Sequence, residues 1–277
     1  MQCFVMGGRV LKPLAFCVFL ATLLLIPQSV WGACVLNVAG YGPQIQRASL
    51  EAPRPVPSRH LLVTFLGHSS FLVQTPGGAS IVTDYNDQYL PPQKPDAATM
   101  SNSHHLHSSA TVDPAVTRPL RGWDPGGGIA RVDVQIKDAR VFNVPTNFGE
   151  FGAVKTNGNS IFVVEAAGLC VAHLGNLRHL LDRGSLKRLG RIDVLFISID
   201  GSWTLSHADA LRLIRQIGPS LVIPMQYDIV QPQIFAALAK RSFPVRVHDK
   251  ADLLVSRKTL PRNTEILFLR QRERQPG

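Results

Sequence analysis

The sequence predicts a four-layer α/β/β/α sandwich. Three features carry this: a first half dense in short apolar strand runs, a second half in which such runs alternate with two amphipathic helical stretches, and 22 Gly and 20 Pro scattered as turns without period. The early runs at 62–66, 70–74 and 79–83 read as a β-meander, with Pro76-Gly77-Gly78 turning the second into the third. Further strand candidates lie at 131–137, 140–144, 160–165, 169–174, 192–199, 220–223 and 264–269. The clearer helix covers 206–217, where Ser206 and Asp209 stand in capping-box spacing and Ala210, Leu211, Leu213, Ile214 and Ile217 form one apolar stripe. A second helix is expected over 232–241. Strands first and strand–helix–strand units later bury their apolar faces as two packed sheets with helices outside.

Composition excludes several classes. With 277 residues, 45% hydrophobic and 17% charged, the chain can build a sizeable core, which rules out a disordered tail, a collagen repeat or a disulfide-dense miniprotein. The formal charge of +10 is spread along the chain with no run of five like charges, so nucleic acid is not an expected partner.

The N-terminus has the three-part layout of a secretory signal. Arg9 and Lys12 precede the apolar run Leu14 to Ile26, Pro27 breaks it, and Val30 and Gly32 satisfy the small-residue rule for cleavage after Gly32. The run falls short of the roughly 20 residues that cross a bilayer. The expected organisation is a signal peptide over 1–32, an extended Pro-rich lead-in over 33–59 and one domain over 60–277, exported to the periplasm or secreted. Cleavage removes two positive charges and no negative ones, leaving +8, which suits a small anionic substrate or surface. Cys34 and Cys170 then remain in an oxidising compartment. A disulfide between them, lipidation of Cys34 as a route to the membrane, and Cys170 as a small buried hydrophobe are the alternatives.

The densest chemical signal is Met100-Ser101-Asn102-Ser103-His104-His105-Leu106-His107, three histidines in four positions after a strand. On a tight turn His104 and His107 face one way, with His105 turned elsewhere, so two neutral imidazoles meet one cation. A metal site needs about three protein donors, so at least one must come from distant sequence.

From about 60 to 270 the chain resembles the metallo-β-lactamase-fold hydrolases, in the branch typified by L-ascorbate-6-phosphate lactonase-like proteins. Leu66-Gly67-His68-Ser69-Ser70-Phe71 is similar to that branch's opening strand and turn, and Thr83-Asp84 to the end of its next strand. Ser101 to His107 stands where the family has His-x-His-x-Asp-His. Val144-Pro145-Thr146-Asn147 takes the place of a later metal histidine. His173-Leu174-Gly175-Asn176-Leu177 resembles the strand end with the bridging aspartate, and Ile223-Pro224-Met225-Gln226-Tyr227 the closing Pro-Met-His-Tyr.

The resemblance implies seven ligand positions, filled here by Asn102, His104, Leu106, His107, Asn147, Asn176 and Gln226, so only two histidines survive. Two dications about 3.5 Å apart repel by on the order of 20 kcal/mol even at an effective dielectric of about 20, so without carboxylate bridges at most one Zn²⁺ or Mn²⁺ is expected. The expectation is a hydrolase of an ester, lactone or phosphoester in which His104 and His107, helped by His173, hold the ion. His179 and Asp84 stand near the pocket as reserve donors, and Asp200 or His68 assists proton transfer. Asp200 has a second reading as an Asp-Gly turn, and His68 as a hydrogen-bonding support of the pocket floor. Asn102, Asn147, Asn176 and Gln226 keep hydrogen-bonding capacity while ligating Zn²⁺ weakly, so the competing reading is a non-catalytic binding protein that has lost its metals. Serine hydrolysis is set aside, because the Gly67 to Phe71 turn lacks the second glycine of a nucleophile elbow.

Overall fold

The computed structural model describes residues 55–272 except 115, 151–152 and 228–230. The signal peptide, most of the lead-in and Cys34 lie outside the described residues. In chain order the elements are β1 (His60–Gly67), β2 (Ser70–Gln74), β3 (Ser80–Thr83), β4 (Ala97–Met100), β5 (Arg118–Arg121), β6 (Asp133–Ile136), β7 (Ala139–Glu150), β8 (Ala153–Ala166) and β9 (Leu169–His173). There follow α1 (Arg183–Leu189), β10 (Val194–Ser198), α2 (His207–Ile217), β11 (Leu221–Met225), α3 (Gln231–Ala239), β12 (Val245–His248), β13 (Asp252–Ser256) and β14 (Glu265–Leu269).

Among the described residues these strands make two sheets, ordered β13-β1-β2-β3-β4-β5 and β12-β14-β11-β10-β9-β8-β7-β6. β1, β2 and β3 pair antiparallel as the expected meander. Their period-2 pattern sends Leu61, Val63, Phe65, Phe71, Val73 and Ile81 inward against Phe162, Val164, Val171, Val194, Phe196 and Ile223 of the other sheet. Phe71 and Phe196 stack across this interface with centroids 4.0 Å apart. The outer face of the eight-stranded sheet is covered by the helices, through Leu189, Ala210, Leu213, Ile214, Phe235 and Ala239. Over the other sheet, Leu66, Leu72, Val82 and Met100 pack under loop residues Tyr85, Val112, Val116 and Trp123.

Helix α2 starts where its capping residues place it, with Ser206 accepting the Asp209 N–H, and stops at Gly218 in the left-handed conformation. Several elements exceed the sequence expectation. β5, β12 and β13 span four or five residues, and β5 reads Arg-Pro-Leu-Arg, a pattern tolerated because it is an edge strand. Helix α1 has seven residues, too few for periodicity to show, and is set by Asp182, which accepts the Ser185 N–H at 2.6 Å. β7 runs on past its apolar first half, and β8 begins before its apolar second half, in a polar hairpin tip that lacks such a run. Cys170 is buried and disulfide-bonded, which replaces its reading as a plain small hydrophobe.

Polar ties join the sheets at the end where β9 and β10 terminate. His173 donates from Nε2 to the Ser69 carbonyl at 2.7 Å and accepts the Gly175 N–H on Nδ1 at 3.0 Å. Asn102 and Asn159 form an isolated antiparallel bridge.

Truncation of the inter-sheet stack, Phe196→Ala, is expected to destabilise the fold by about 3–5 kcal/mol in denaturant unfolding. A second expectation concerns pH. Burial above all holds the His173 pKa below its ordinary 6.5, and both ring nitrogens are already engaged. Protonation therefore favours the unfolded chain, so this stability is complete above pH 6.5 and is lost as pH falls through the lowered native value. His173→Gln should be less stable at neutral pH yet lose less stability between about pH 7 and pH 5 than the parent. Parallel pH profiles would show that His173 does not carry the effect.

Candidate functional site

β9, β10 and β11 are parallel neighbours, so the residues after their C-terminal ends share one sheet edge, where ligands of α/β sheets bind. Asn176, Asp200 and Gln226 stand there. From the other sheet come His68, between β1 and β2, and the turn after β4 that carries His104 to His107. Together these line a cavity of about 400 Å³, with Arg178, Trp203 and Tyr227 completing its wall.

The centre of the polar arrangement is Asp84, which follows β3 and has no exposed surface. Its Oδ1 accepts the Ser101 N–H at 3.0 Å and its Oδ2 accepts Nδ1–H of His107 at 2.5 Å. Burial alone would raise the Asp84 pKa, but the nearby His173 and His107 and the hydrogen bonds from His107 and Ser101 outweigh it, and the carboxyl is held below the usual range. Because Nδ1–H of His107 donates to the Asp84 carboxylate, Nε2 is left as the atom that can hold a ligand. The turn itself closes with the His107 N–H on the His104 carbonyl at 2.8 Å and the His104 N–H on Asn102 Oδ1 at 2.9 Å.

Three residues at this site, His68, Asp84 and Gln226, have φ of 49°, 45° and 53°. Left-handed backbone at non-glycine residues costs about 1–2 kcal/mol each. Its concentration here follows the pattern of functional sites. The Gln226 N–H donates to the His68 carbonyl at 2.7 Å, so two of the three are locked together.

The sequence-derived residues separate into two groups. His68, His104, His107, Asn176, Asp200 and Gln226 come together on the cavity, and so does His105, which the turn does not send elsewhere. The others are absorbed by the framework. His173 uses both ring nitrogens on backbone groups and supplies no metal donor. His179 does the same, with Nδ1 on the Leu180 carbonyl and Nε2 accepting the Asn147 N–H. Asn147 accepts the Asn157 N–H through Oδ1, and Asn102 amide donors reach Ser101 Oγ and Asn159 Oδ1. Asp200 takes its turn reading: Oδ1 accepts the N–H groups of Ser202, Trp203 and Thr204, and Oδ2 accepts the Thr204 hydroxyl at 2.7 Å. Its carboxylate thus shapes the loop that presents Trp203.

His68 has its pKa lowered to about 4, first by burial and then by His107, so at neutral pH it is an uncharged imidazole and no general acid. Sequence spacing gave no sign of Asn159, a buried amide that accepts from the Asn176 N–H and donates to Thr146 Oγ1 and the Leu174 carbonyl. Arg178 and Trp203 escaped it as well, since only the folded loops bring them to the cavity.

The donor chemistry decides how many metal ions the site suits. Two do not fit: no carboxylate stands between the imidazoles to bridge them, and among the described residues no three His, Cys, Asp or Glu side chains group as a metal site. One fits. His68 Nε2, His107 Nε2 and Asn176 Oδ1 are buried atoms without a hydrogen-bond partner, and all three residues line the cavity. An unsatisfied buried polar atom costs about 1–3 kcal/mol, so three beside a cavity that the Arg178 guanidinium also lines point to a polar ligand. The His68 and His107 rings lie 5.7 Å apart, the spacing of roughly 5–6 Å expected of two imidazoles at about 2.0–2.1 Å from one ion.

The chain is similar to known proteins both in sequence and in fold. The chain is 29% identical over 169 residues to a metal-dependent hydrolase of Opitutus terrae, covering 55% of this chain and 72% of that one. With a metal-dependent hydrolase of Lysinibacillus sphaericus it shares 22% identity over 215 residues, 65% of this chain and 93% of the relative. In three dimensions it resembles a metallo-beta-lactamase superfamily protein from Thermotoga maritima, with a TM-score of 0.57 and 21% identity over 76% of this chain and 98% of the other. Residues 62–226, from β1 to the left-handed Gln226, match the beta-lactamase superfamily domain, and the chain belongs to that family.

Proposed function

We propose that the chain is an exported hydrolase of an anionic ester, lactone or phosphoester that works with at most one divalent cation, Zn²⁺ or Mn²⁺. The observation that carries this reading is the buried, unpartnered Nε2 of His107, held toward ligand binding by Asp84 in the cavity where the strand ends meet. The relatives named as metal-dependent hydrolases support the reaction class. The disulfide at Cys170 supports an oxidising compartment.

A bound divalent cation supplies Lewis acidity toward a carbonyl or phosphoryl oxygen and makes a water more acidic. The rest is done by this chain's side chains. Asp84 keeps His107 in one tautomer and one orientation, as carboxylate partners of ligating histidines do. Arg178, stacked over Phe148 at 5.1 Å, brings positive charge to the cavity wall and favours an anionic substrate. Burial pushes the Tyr227 pKa up to about 12, so its hydroxyl stays protonated and cannot serve as a base. Trp203, 61% exposed at the cavity, offers a flat apolar surface to the non-reacting part of the substrate.

Two variants test this on chromogenic esters, lactones and phosphodiesters with metal-loaded protein. Asp84→Asn is expected to lower kcat by about 10–100-fold while the protein stays folded. Trp203→Ala is expected to raise KM by roughly 3–10-fold with little change in kcat. Chelation should abolish turnover and added Zn²⁺ or Mn²⁺ restore it. Metal-loaded protein that turns over none of the three classes but binds anions tightly would identify the chain instead as a binding protein, a reading favoured by Asn176 standing where the family has an aspartate.

A further inference from the structure

We propose that this chain has a second ligand site, separate from the strand-end cavity, and that it takes a small amphiphilic anion, a phosphate or carboxylate head on an apolar body. The site is a cavity of about 730 Å³ between the loop 129–132, β7 and helix α1, and it shares no lining residue with the cavity of His107. It does not depend on the hydrolase reading.

The cavity exists because β6 stops short. β6 pairs with the start of β7 from Ile136 and Ala139 to Asp133 and Phe142, where the ladder ends. The Asn143 N–H still faces that side and donates to the Val132 carbonyl at 3.0 Å. By strand alternation the next residue facing it is Pro145, which has no N–H to give, and the Ala130 carbonyl is met instead by Nδ2 of Asn143 at 3.0 Å. The same side chain accepts the Val132 N–H on Oδ1 at 2.7 Å and donates to Ser160 Oγ at 2.8 Å, so this wall is fixed. Asn157, also on the cavity, is left-handed at φ 56° and held by its N–H on Asn147 Oδ1 at 3.2 Å. The shape is present before any ligand arrives. The charge on the lining is one-sided. Arg131 and Arg188 both reach the cavity, and among the described residues neither stands in an ion pair. Arg188 is steadied by donating to Ser185 Oγ at 2.9 Å, and the nearby Asp182 carboxylate is engaged by the Ser185 N–H. Asp133 is the acidic lining residue, and Arg140 already takes both of its oxygens, Nε on Oδ1 and Nη2 on Oδ2, at 2.8 Å each. Two guanidiniums beside a carboxylate that is already matched recognise a phosphate or carboxylate head. Ile129, 50% exposed, joins Val132 and Pro145 as apolar surface that an organic body would take out of water. An inorganic anion would leave that surface wet.

The test titrates the full chain in a calorimeter with octyl phosphate and, separately, with decanoate, and uses inorganic phosphate and octyl glucoside as head-only and body-only controls. At least one amphiphile is expected to fill about one equivalent and to raise the unfolding temperature, as binding to the native state must. Both controls should bind about tenfold or more weakly, because each leaves part of the lining unused. Tighter binding of octyl phosphate selects the phosphate head, and of decanoate the carboxylate. Arg131→Ala combined with Arg188→Ala should weaken binding about tenfold or more, and Ile129→Ser about threefold. Arg178→Ala, in the strand-end cavity, should change it less than about twofold. Both lining arginines are exposed, and should the double variant still fail to fold, charge reversal in Arg131→Glu decides, with a loss of about tenfold or more expected. Unchanged affinity in these variants, loss of affinity in Arg178→Ala, equal binding of octyl glucoside, or no binding by the parent below about 1 mM would each overturn the proposal.

Discussion

The site depends on one buried charge. Asp84 is wholly enclosed, and an isolated carboxylate in such surroundings would cost several kcal/mol, so each of its contacts is compulsory. Through Oδ1 it pins the end of β4 at Ser101, through Oδ2 it orients His107, and through its backbone carbonyl it receives the hydroxyl of Ser70 and the amide of Asn86. Two other chain segments, at Ser70 and at Ser101 to His107, are thus registered on a single residue, and its left-handed backbone is held because they surround it.

Around that charge the family's metal-binding positions have divided into two chemistries. Asn102 ties the two sheets through Asn159, while Asn147 accepts the Asn157 N–H and Asn159 accepts the Asn176 N–H within the larger sheet. Asn176 and the imidazoles of His68 and His107 keep atoms in reserve on the cavity. A hydrogen-bonded network of neutral groups can stand without an ion, so the framework keeps its shape while the remaining open donors still call for a ligand.

Most of the architecture was legible in the chain because it follows local rules. Apolar alternation marked β1, β2, β3 and the buried parallel strands, and Ser206 with Asp209 marked the start of α2. The elements that were not legible, β5, β12, β13 and α1, are too short for a period to register and exist because neighbours pair with or bury them. Among site residues the histidine turn, Asp84, Asn176 and Gln226 were found from spacing and resemblance. The roles of His173, His179 and Asp200 were not, since a ring nitrogen or carboxylate oxygen is a donor to metal or a partner to backbone according to what lies within about 3 Å of it, which spacing along the chain does not encode.

By itself, then, the amino-acid order determined the layer architecture and the amides that stand where the family has carboxylates and histidines. Those follow from periodicity and residue identity, which act over short distances or need no coordinates at all. Only the tertiary structure decided which lone pairs remain open. That outcome is set by long-range packing: the Ser69 carbonyl reaches His173 across 104 positions, and the loop around Asp200 closes on its own N–H groups, while among the described residues no hydrogen bond reaches Nε2 of His68 or of His107.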